Sequence, residues 1–460
     1  MIIRPYCSGA LTRLMLLCYA LLFAGFGLEL SHATLHSPLG ATQATTASGV
    51  RLPIDLHQPY DRDGSSQQNP LVIQEQGLSE DVPLQEGAYP ESYSAVLDAL
   101  EIMESHYFEV SHGTWPKAID WTAAVMGTQV SATLAAMSEY TAANPSPSLE
   151  QARDHENLLN RYFTQITSFY FGENAFSLRT QAYDDMLWVV LGWLEAIKFI
   201  DLHSHLHDSA SDLRNTSEWY ARQFIPQYSH RARLFYDLAS RGWSTDLCGG
   251  GMTWNPYLAP YKNAITNQLY ISASMAMYLH FPGDSNSSPF LKGSHLPPAK
   301  AHDVRYLDNA VKAYKWLKGS GMRNEQGLYV DGFHIKGWRG GKNGSNGTGN
   351  CDLRDDKVYT YNQGVLLSGL RDLWLATSDR SYLQDGHELV QNVITATGWT
   401  DKNTDRYDKV HRSWDDLSVV EGPHREDIND RGRGRTVETQ SGGLAVLRAL
   451  WKLVESRREG

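Results

Sequence analysis

The 460-residue chain has four cysteines, no basic excess and no apolar run long enough to span a bilayer. Each shortage excludes something. Cys7 and Cys18 fall in the first 33 residues, so only Cys248 and Cys351 remain for the body of the protein. Two cysteines without a Cys-x-x-Cys or His-Glu-x-x-His spacing do not make a structural zinc site, and no metal is expected. Lys and Arg number 41 against 52 Asp and Glu, a net charge of −11. Phosphate contacts need the opposite balance, so no nucleic acid and no anionic membrane is expected as a partner. Strand–helix alternation is missing as well, which argues against a parallel α/β sheet. The glycines at 249–251 are not followed by the Lys-Ser/Thr of a phosphate loop.

What is present begins with an address. Arg4 and Arg13 form a basic start, Leu14 to Leu28 is apolar throughout, and Ser31-His32-Ala33 is a small-residue cleavage site. The apolar run falls short of the ~20 residues of a membrane span, so residues 1–33 read as a cleaved secretory signal. Removing them leaves 39 basic and 51 acidic residues, a charge near −12. In an oxidising compartment the even pair Cys248 and Cys351 is expected to form a disulfide. Four Asn-x-Ser/Thr sequons, at Asn215, Asn286, Asn343 and Asn346, suit a glycosylated secreted protein. The last residues, Glu455 to Gly460, lack the apolar tail of a GPI signal, so release without a stable membrane anchor is the expectation.

Residues 34–90, rich in Ser, Thr, Gln, Pro and Gly, read as a flexible leader or pro-segment. From Ser92 a 3.6-residue periodicity takes over. Helices are predicted from 92 and near 117–143, 148–170, 184–202, 213–240, 262–280, 303–319, 359–377, 382–397 and 436–455. Some, such as Met186 to Leu194, are apolar on most sides and should be buried; others, such as 303–319, carry a charged face. Buried and amphipathic helices in turn predict an all-α helical toroid with an inner and an outer ring over residues 91–460. Residues 241–261 and 320–358 are long and Gly-rich, the mark of functional loops. Of 50 aromatic residues, 13 Trp and 24 Tyr carry a polar handle. Such rings suit half-wet sites and the C–H faces of sugars, or equally an aromatic-rich core.

Four segments could carry chemistry. Asp184-Asp185 opens the apolar Met186 helix. A carboxylate pair there can cap the helix. It can also split its pKa values, since neighbouring carboxylates do not both ionise easily, and glycosidic cleavage needs one ionised and one protonated carboxyl. Gly242 to Asn255 combines Asp246, three glycines that let backbone approach a ligand, and Trp254, which can stack on a sugar or pack in a turn. Asn263 and Asn267 stand four apart on one helical face, suited to sugar hydroxyls or to capping and a core hydrogen bond. Tyr359 to Gly364, with Tyr361, Asn362 and Gln363, opens another apolar helix. The nearby Asp352, Asp355 and Asp356 read as a solvated loop rather than a metal site.

In this order the segments resemble glycoside hydrolase family 76, the α-1,6-mannanases, and especially its fungal members. Asp184-Asp185 is similar to the family's catalytic pair, Gly249-Gly250-Gly251-Met252-Thr253-Trp254 to its Gly-Gly-x-x-Trp segment, and Tyr261 to Asn267 to its Tyr-Lys-Asn-x-x-x-Asn. Tyr359 to Gly364 resembles Trp-Thr-Tyr-Asn-Gln-Gly, and Glu438 to Gly443 a helix entry with Gln-Ser. Trp115 and Trp121 fall where the family keeps early cleft aromatics. Residues 92–455 are covered, and the leader is not.

The resemblance implies an (α/α)6 barrel of six hairpins and a retaining mechanism with Asp184 as nucleophile and Asp185 as acid/base. The implied substrate is mannan or another mannose-containing glycan, cut at α-1,6 linkages inside the chain. Trp121, Trp188, Asp246, Trp254, Asn263, Asn267, Tyr361, Asn362 and Gln363 are the implied substrate-binding set. No cofactor is implied, and a secreted monomer, at most cell-wall associated, is expected. One departure is that Val189 stands where many members have a second Trp. Alternatives are a cell-wall transglycosidase with the same site, an inactive glycan-binding protein, and, more remotely, another toroid enzyme such as a sugar epimerase or uronyl hydrolase.

Overall fold

Hydrophobic patterning sorts the helices into two kinds, and the two kinds alternate along the chain. The computed structural model describes residues 91–118, 120–145, 148–168, 181–210, 219–286, 298–340, 344–398, 403 and 436–458. The signal at 1–33, the leader at 34–90 and the sequons at Asn215 and Asn343 lie outside these. Ten α-helices occur among the described residues: α1 (Glu91–Ile102), α2 (Asp120–Ala143), α3 (Leu149–Ser168), α4 (Tyr183–Ala210), α5 (Ile225–Ala239), α6 (Ala264–His280), α7 (Val304–Gly319), α8 (Tyr361–Thr377), α9 (Arg380–Thr397) and α10 (Val437–Arg458).

The odd-numbered helices are amphipathic. In α7 only Tyr306, Ala310, Ala313, Tyr314 and Leu317 are buried, a stripe at three- and four-residue spacing. The even-numbered helices are the more deeply buried ones; every residue of α6 from Ala264 to Met277 is buried. The packing follows. Helices α2, α4, α6 and α8 pack side by side, and α10 returns against α2. Each outer helix lies on one inner helix: α1 on α10, α3 on α2, α5 on α4, α7 on α6 and α9 on α8. The fold is the all-α toroid that the periodicity predicts. Most helix ends lie within a few residues of the predicted ones; the exceptions are α4, which runs on to Ala210 rather than 202, and the stretch near 213–240, which holds a 3-10 turn, Tyr220–Phe224, before α5.

The two long Gly-rich segments are not plain loops. They supply a three-stranded antiparallel sheet, in the order β1 (Tyr261–Asn263), β4 (Val330–His334), β5 (Leu353–Val358). A two-residue pair, β2 (Gly283–Asp284) with β3 (Ala299–Lys300), lies elsewhere. Gly332 lets β1 and β4 meet, because a Cβ there would stand 2.5 Å from the Lys262 carbonyl oxygen. The β4–β5 register shifts between Val330 and Gly332, so a bulge sits opposite Asp331. Bulges re-aim side chains, and strands this short give little periodicity to read.

The disulfide forms. Cys248 and Cys351 are bonded across a sequence separation of 103 residues and tie the two Gly-rich segments together. The glycines beside Cys248 serve that join rather than a ligand. The Trp316 ring of α7 packs against Gly250 and Gly251, and its Nε1 donates to the Cys248 carbonyl oxygen at 3.2 Å. A Cβ on Gly251, whose φ is +82°, would meet the Trp316 ring at 2.5 Å. Gly251→Ala is therefore expected to lose roughly 2–4 kcal/mol of stability, from overpacking and left-handed strain together. Denaturant unfolding measures it; an unchanged midpoint would contradict this packing.

Candidate active site

The starts of the inner helices meet at one end of the toroid. Asp184 and Asp185 occupy the first turn of α4, where negative charge is favoured. The Tyr183 N–H donates to the Trp254 carbonyl oxygen at 2.9 Å, and the Trp254 N–H donates to the Tyr261 carbonyl oxygen at 2.8 Å. Three separate sequence segments are thus tied together by backbone alone. The Trp254 indole Nε1 then donates to Asp184 Oδ2 at 3.0 Å, while the Asp185 N–H donates to Asp184 Oδ1 at 3.1 Å. Both oxygens of Asp184 accept N–H bonds, an arrangement suited to a carboxylate.

Asp184 is only 9% exposed, whereas Asp185 is half-buried. Burial, and after it the charge of Asp185, lifts the pKa of Asp184 well above the usual carboxylate range; the backbone and Trp254 donors pull the other way without winning. The pair therefore keeps a proton at a pH where free carboxylates would have lost theirs. A carboxyl whose folded pKa lies above its unfolded value of about 3.9 binds more protons folded than unfolded. Its stabilisation is complete below the unfolded pKa and is lost as pH rises through the folded one. Wild type should accordingly lose stability relative to Asp184→Asn as pH climbs from about 4 toward neutrality. Chemical unfolding of both proteins across that range tests this; a stability difference constant with pH would contradict the burial of the charge.

Around the pair stand aromatic rings. Trp188 follows Asp184 by one helical turn and stacks on Trp121 with centroids 6.1 Å apart. Trp188 is buried and Trp121 is half-exposed, so Trp188 supports Trp121 from beneath. Trp121, Gln129, Glu438 and Ser441 line a recess between α2 and α10. Tyr361 stacks on Tyr359 at 5.0 Å, and both are half-exposed.

A third carboxylate joins them that the sequence did not single out. Asp331, at the β-bulge, accepts from the Tyr261 hydroxyl at 2.5 Å and from Asn362 Nδ2 at 3.3 Å. Burial raises its pKa, and the Tyr261 and Asn362 bonds oppose the rise. The Tyr261 ring meets the Trp254 ring edge-on at 6.4 Å, and through these two rings Asp331 belongs to the same site as Asp184. The available signal was a lone Asp between buried apolar residues, Val330-Asp331-Gly332-Phe333, inside a segment read as loop.

Several expected sugar ligands are otherwise engaged. Asn267 donates to the Met252 and Asn263 carbonyl oxygens and accepts the Met252 N–H, with no exposure left. Asn263 caps α6 by accepting the Thr266 N–H. These two amides take the capping and core roles. Gln363 is likewise spent, on the Tyr329 N–H and on the Tyr329 and Tyr359 carbonyl oxygens. Trp115 is a core residue whose indole N–H donates to the Met103 carbonyl oxygen. Asp246 is exposed on the loop held by Lys262, whose buried Nζ donates to the Ser244 and Gly251 carbonyl oxygens. Burial pulls Lys262 down to about 8. Of the sequons, Asn286 and Asn346 are exposed. Asp352, Asp355 and Asp356 are taken up by the Lys336 N–H, Lys357 and Arg354.

A family model described as glycosyl hydrolase family 76 matches residues 215–413. Mannan endo-1,6-alpha-mannosidase DFG5 of Candida albicans is 27% identical over 184 residues, 38% of this chain and 34% of that one. Mannan endo-1,6-alpha-mannosidase DCW1 of Saccharomyces cerevisiae is 27% identical over 152 residues, 31% of this chain and 26% of that one. The chain thus spans about a third of the length of the curated relatives it matches. A family 76 glycoside hydrolase from a bovine Bacteroides thetaiotaomicron strain shares the fold, with a TM-score of 0.50 and 17% identity over 80% of this chain and 78% of that one.

Proposed function

We propose that the chain, which a glycosyl hydrolase family 76 model matches over residues 215–413, is a retaining hydrolase of that family that cleaves α-1,6-mannosidic linkages inside mannan. The observation that carries the proposal is the bond from the Trp254 indole to Asp184. It joins the two segments most typical of the resemblance at the start of one buried helix. The substrate class follows the curated relatives, both mannan endo-1,6-alpha-mannosidases.

In this reading Asp184 attacks the anomeric carbon. The bond to the leaving sugar breaks, and Asp185 gives its proton to the departing oxygen. Asp185 then takes a proton from water, and that water displaces Asp184 from the glycosyl ester. Retaining enzymes hold the two carboxyls about 5–5.5 Å apart, and the reading requires Asp184 and Asp185, in the first turn of α4, to reach that separation. Substrate entry must leave Asp184 as the anion, which the indole and backbone donors stabilise. Asp331, steadied by Tyr261 and Asn362, is placed to accept hydrogen bonds from sugar hydroxyls. Trp121 and Tyr361 offer flat faces to the chain.

The whole unit over 91–460 is read as one catalytic domain acting outside the cell. The Cys248–Cys351 bond and the exposed sequons Asn286 and Asn346 support that compartment. Incubation with linear α-1,6-mannan, with chromatography of products over time, is the test. Shortened chains with new reducing ends are expected. Longer glycans without them would turn the reading to transfer, and no product at all would remove it.

A further inference from the structure

Between Trp254 and Tyr261 the chain makes a six-residue excursion, Asn255-Pro256-Tyr257-Leu258-Ala259-Pro260. Its two ends are the rings that hold the site's carboxylates: Trp254 donates to Asp184 and Tyr261 to Asp331. The Trp254 N–H to Tyr261 carbonyl bond closes its base at 2.8 Å. The tip is stiffened from within. Pro256 and Pro260 fix their φ angles, and Asn255 Oδ1 accepts the Tyr257 N–H at 2.8 Å. This rigid tip carries two large side chains in water, Tyr257 at 65% and Leu258 at 53% exposure.

A large ring held out by a braced loop stands in contrast to the other rings of the site, which are half-buried or buried. A phenol offers a flat apolar face and one hydroxyl, the combination that matches a hexose ring with its C–H face and equatorial hydroxyls. Burial cannot explain Tyr257, since it is not buried. Its hydroxyl makes no hydrogen bond among the described residues. Its position is not remote either: Trp254, at the base of the loop, donates to Asp184 and accepts the N–H of Tyr183, the residue just before Asp184.

We propose that Tyr257 is the platform of an outer sugar subsite, which binds a hexose unit of the glycan chain beyond the units held at Asp184 and Asp331. This deepens the glycan-hydrolase reading and rests on it. The occupant is a sugar of the same chain, because the loop is continuous at both ends with residues bonded to the two carboxylates. The expectation is a length-dependent contribution. A short oligosaccharide filling only the subsites next to the bond never reaches the tip, whereas a longer one does.

Tyr257→Ala and Tyr257→Trp test it, with an unchanged melting temperature expected for both because the side chain is exposed. Linear α-1,6-mannose oligomers of two to six units serve as substrates. For Tyr257→Ala, kcat/KM is expected to fall about tenfold on the longest oligomers, about 1.4 kcal/mol, and to stay at the wild-type value on the shortest one cleaved. Tyr257→Trp should keep the wild-type length dependence. A loss equal at every length, or none, overturns the proposal while wild-type turnover leaves the mannanase reading standing. In parallel, Asp184→Asn protein with and without Tyr257→Ala is titrated with α-1,6-mannose, β-1,3-glucose and β-1,4-glucose oligomers of six units. If wild type fails on mannan, yet one of these binds and loses about tenfold affinity with Tyr257→Ala, the mannanase reading falls and the subsite stands. If none binds, or none loses affinity, the subsite falls. Self-association that Tyr257→Ala abolishes would assign the tip to a protein contact instead and overturn it too.

Discussion

Asp184→Asn and Asp185→Asn are each expected to lower kcat/KM on α-1,6-mannan by about 10³-fold or more while leaving the fold intact. Asn keeps the shape of Asp but neither attacks an anomeric carbon nor donates a carboxylic proton. The two variants should also differ from each other. An aryl mannoside with a low-pKa leaving group needs no proton to depart, so Asp185→Asn should still release the aryl group in a first turnover. Asp184→Asn should not, because the attacking oxygen is gone. Rapid-mixing measurement of the aryl burst separates the roles. A burst in Asp184→Asn and none in Asp185→Asn would exchange the assignments, and wild-type rates in both would remove the pair from the mechanism.

Replacing both Cys248 and Cys351 by Ser is expected to cost about 2–4 kcal/mol of stability. The reason is the length of chain that the bond closes, a sequence separation of 103 residues, which restricts the unfolded ensemble more than a short loop would. The native state is well prepared without it, since the Cys248 N–H donates to the Gly349 carbonyl oxygen and Trp316 donates to that of Cys248. The loss should therefore appear in the denaturant midpoint, with the helical signal unchanged at zero denaturant. Equal midpoints for variant and wild type would show that the loop is not constrained by the bond. Because the same loop leads through Met252 to Trp254, a smaller fall in activity is expected alongside.

The helices were legible for a simple reason. A buried face repeats every 3.6 residues, and an inner helix such as α6 is apolar over most of its surface, so burial is written directly into residue order. The small sheet was not legible. Its strands run three to six residues, and the charged run Asp355, Asp356 and Lys357 of β5 carries no apolar alternation. Asp331 went unnoticed with it, because what distinguishes that carboxyl is a bulge between two paired strands.

Asn267 and Gln363 show the opposite limit. As residue types they suit sugar hydroxyls and backbone capping equally, since an amide donates and accepts in both settings. Which partner each takes depends on what the fold brings near it. For Asn267 that is the Met252 backbone, 15 residues away in the chain, and for Gln363 the Tyr329 backbone, 34 away. The glycines at 250 and 251 posed the same question, and Trp316 of α7 answered it.

The scarcity of cysteine, of positive charge and of long apolar runs, with the 3.6-residue pattern, was enough by itself to determine an all-α toroid, a two-cysteine pairing and a carboxylate pair at the head of a buried helix. These depend on composition and near-neighbour order, which the chain carries without folding. Only the tertiary structure decided that Trp254 holds Asp184, that Asp331 joins the site and that several polar candidates are spent on backbone. Those outcomes rest on contacts between residues tens of positions apart, and hydrogen-bond partners at such range are fixed by packing rather than by sequence spacing.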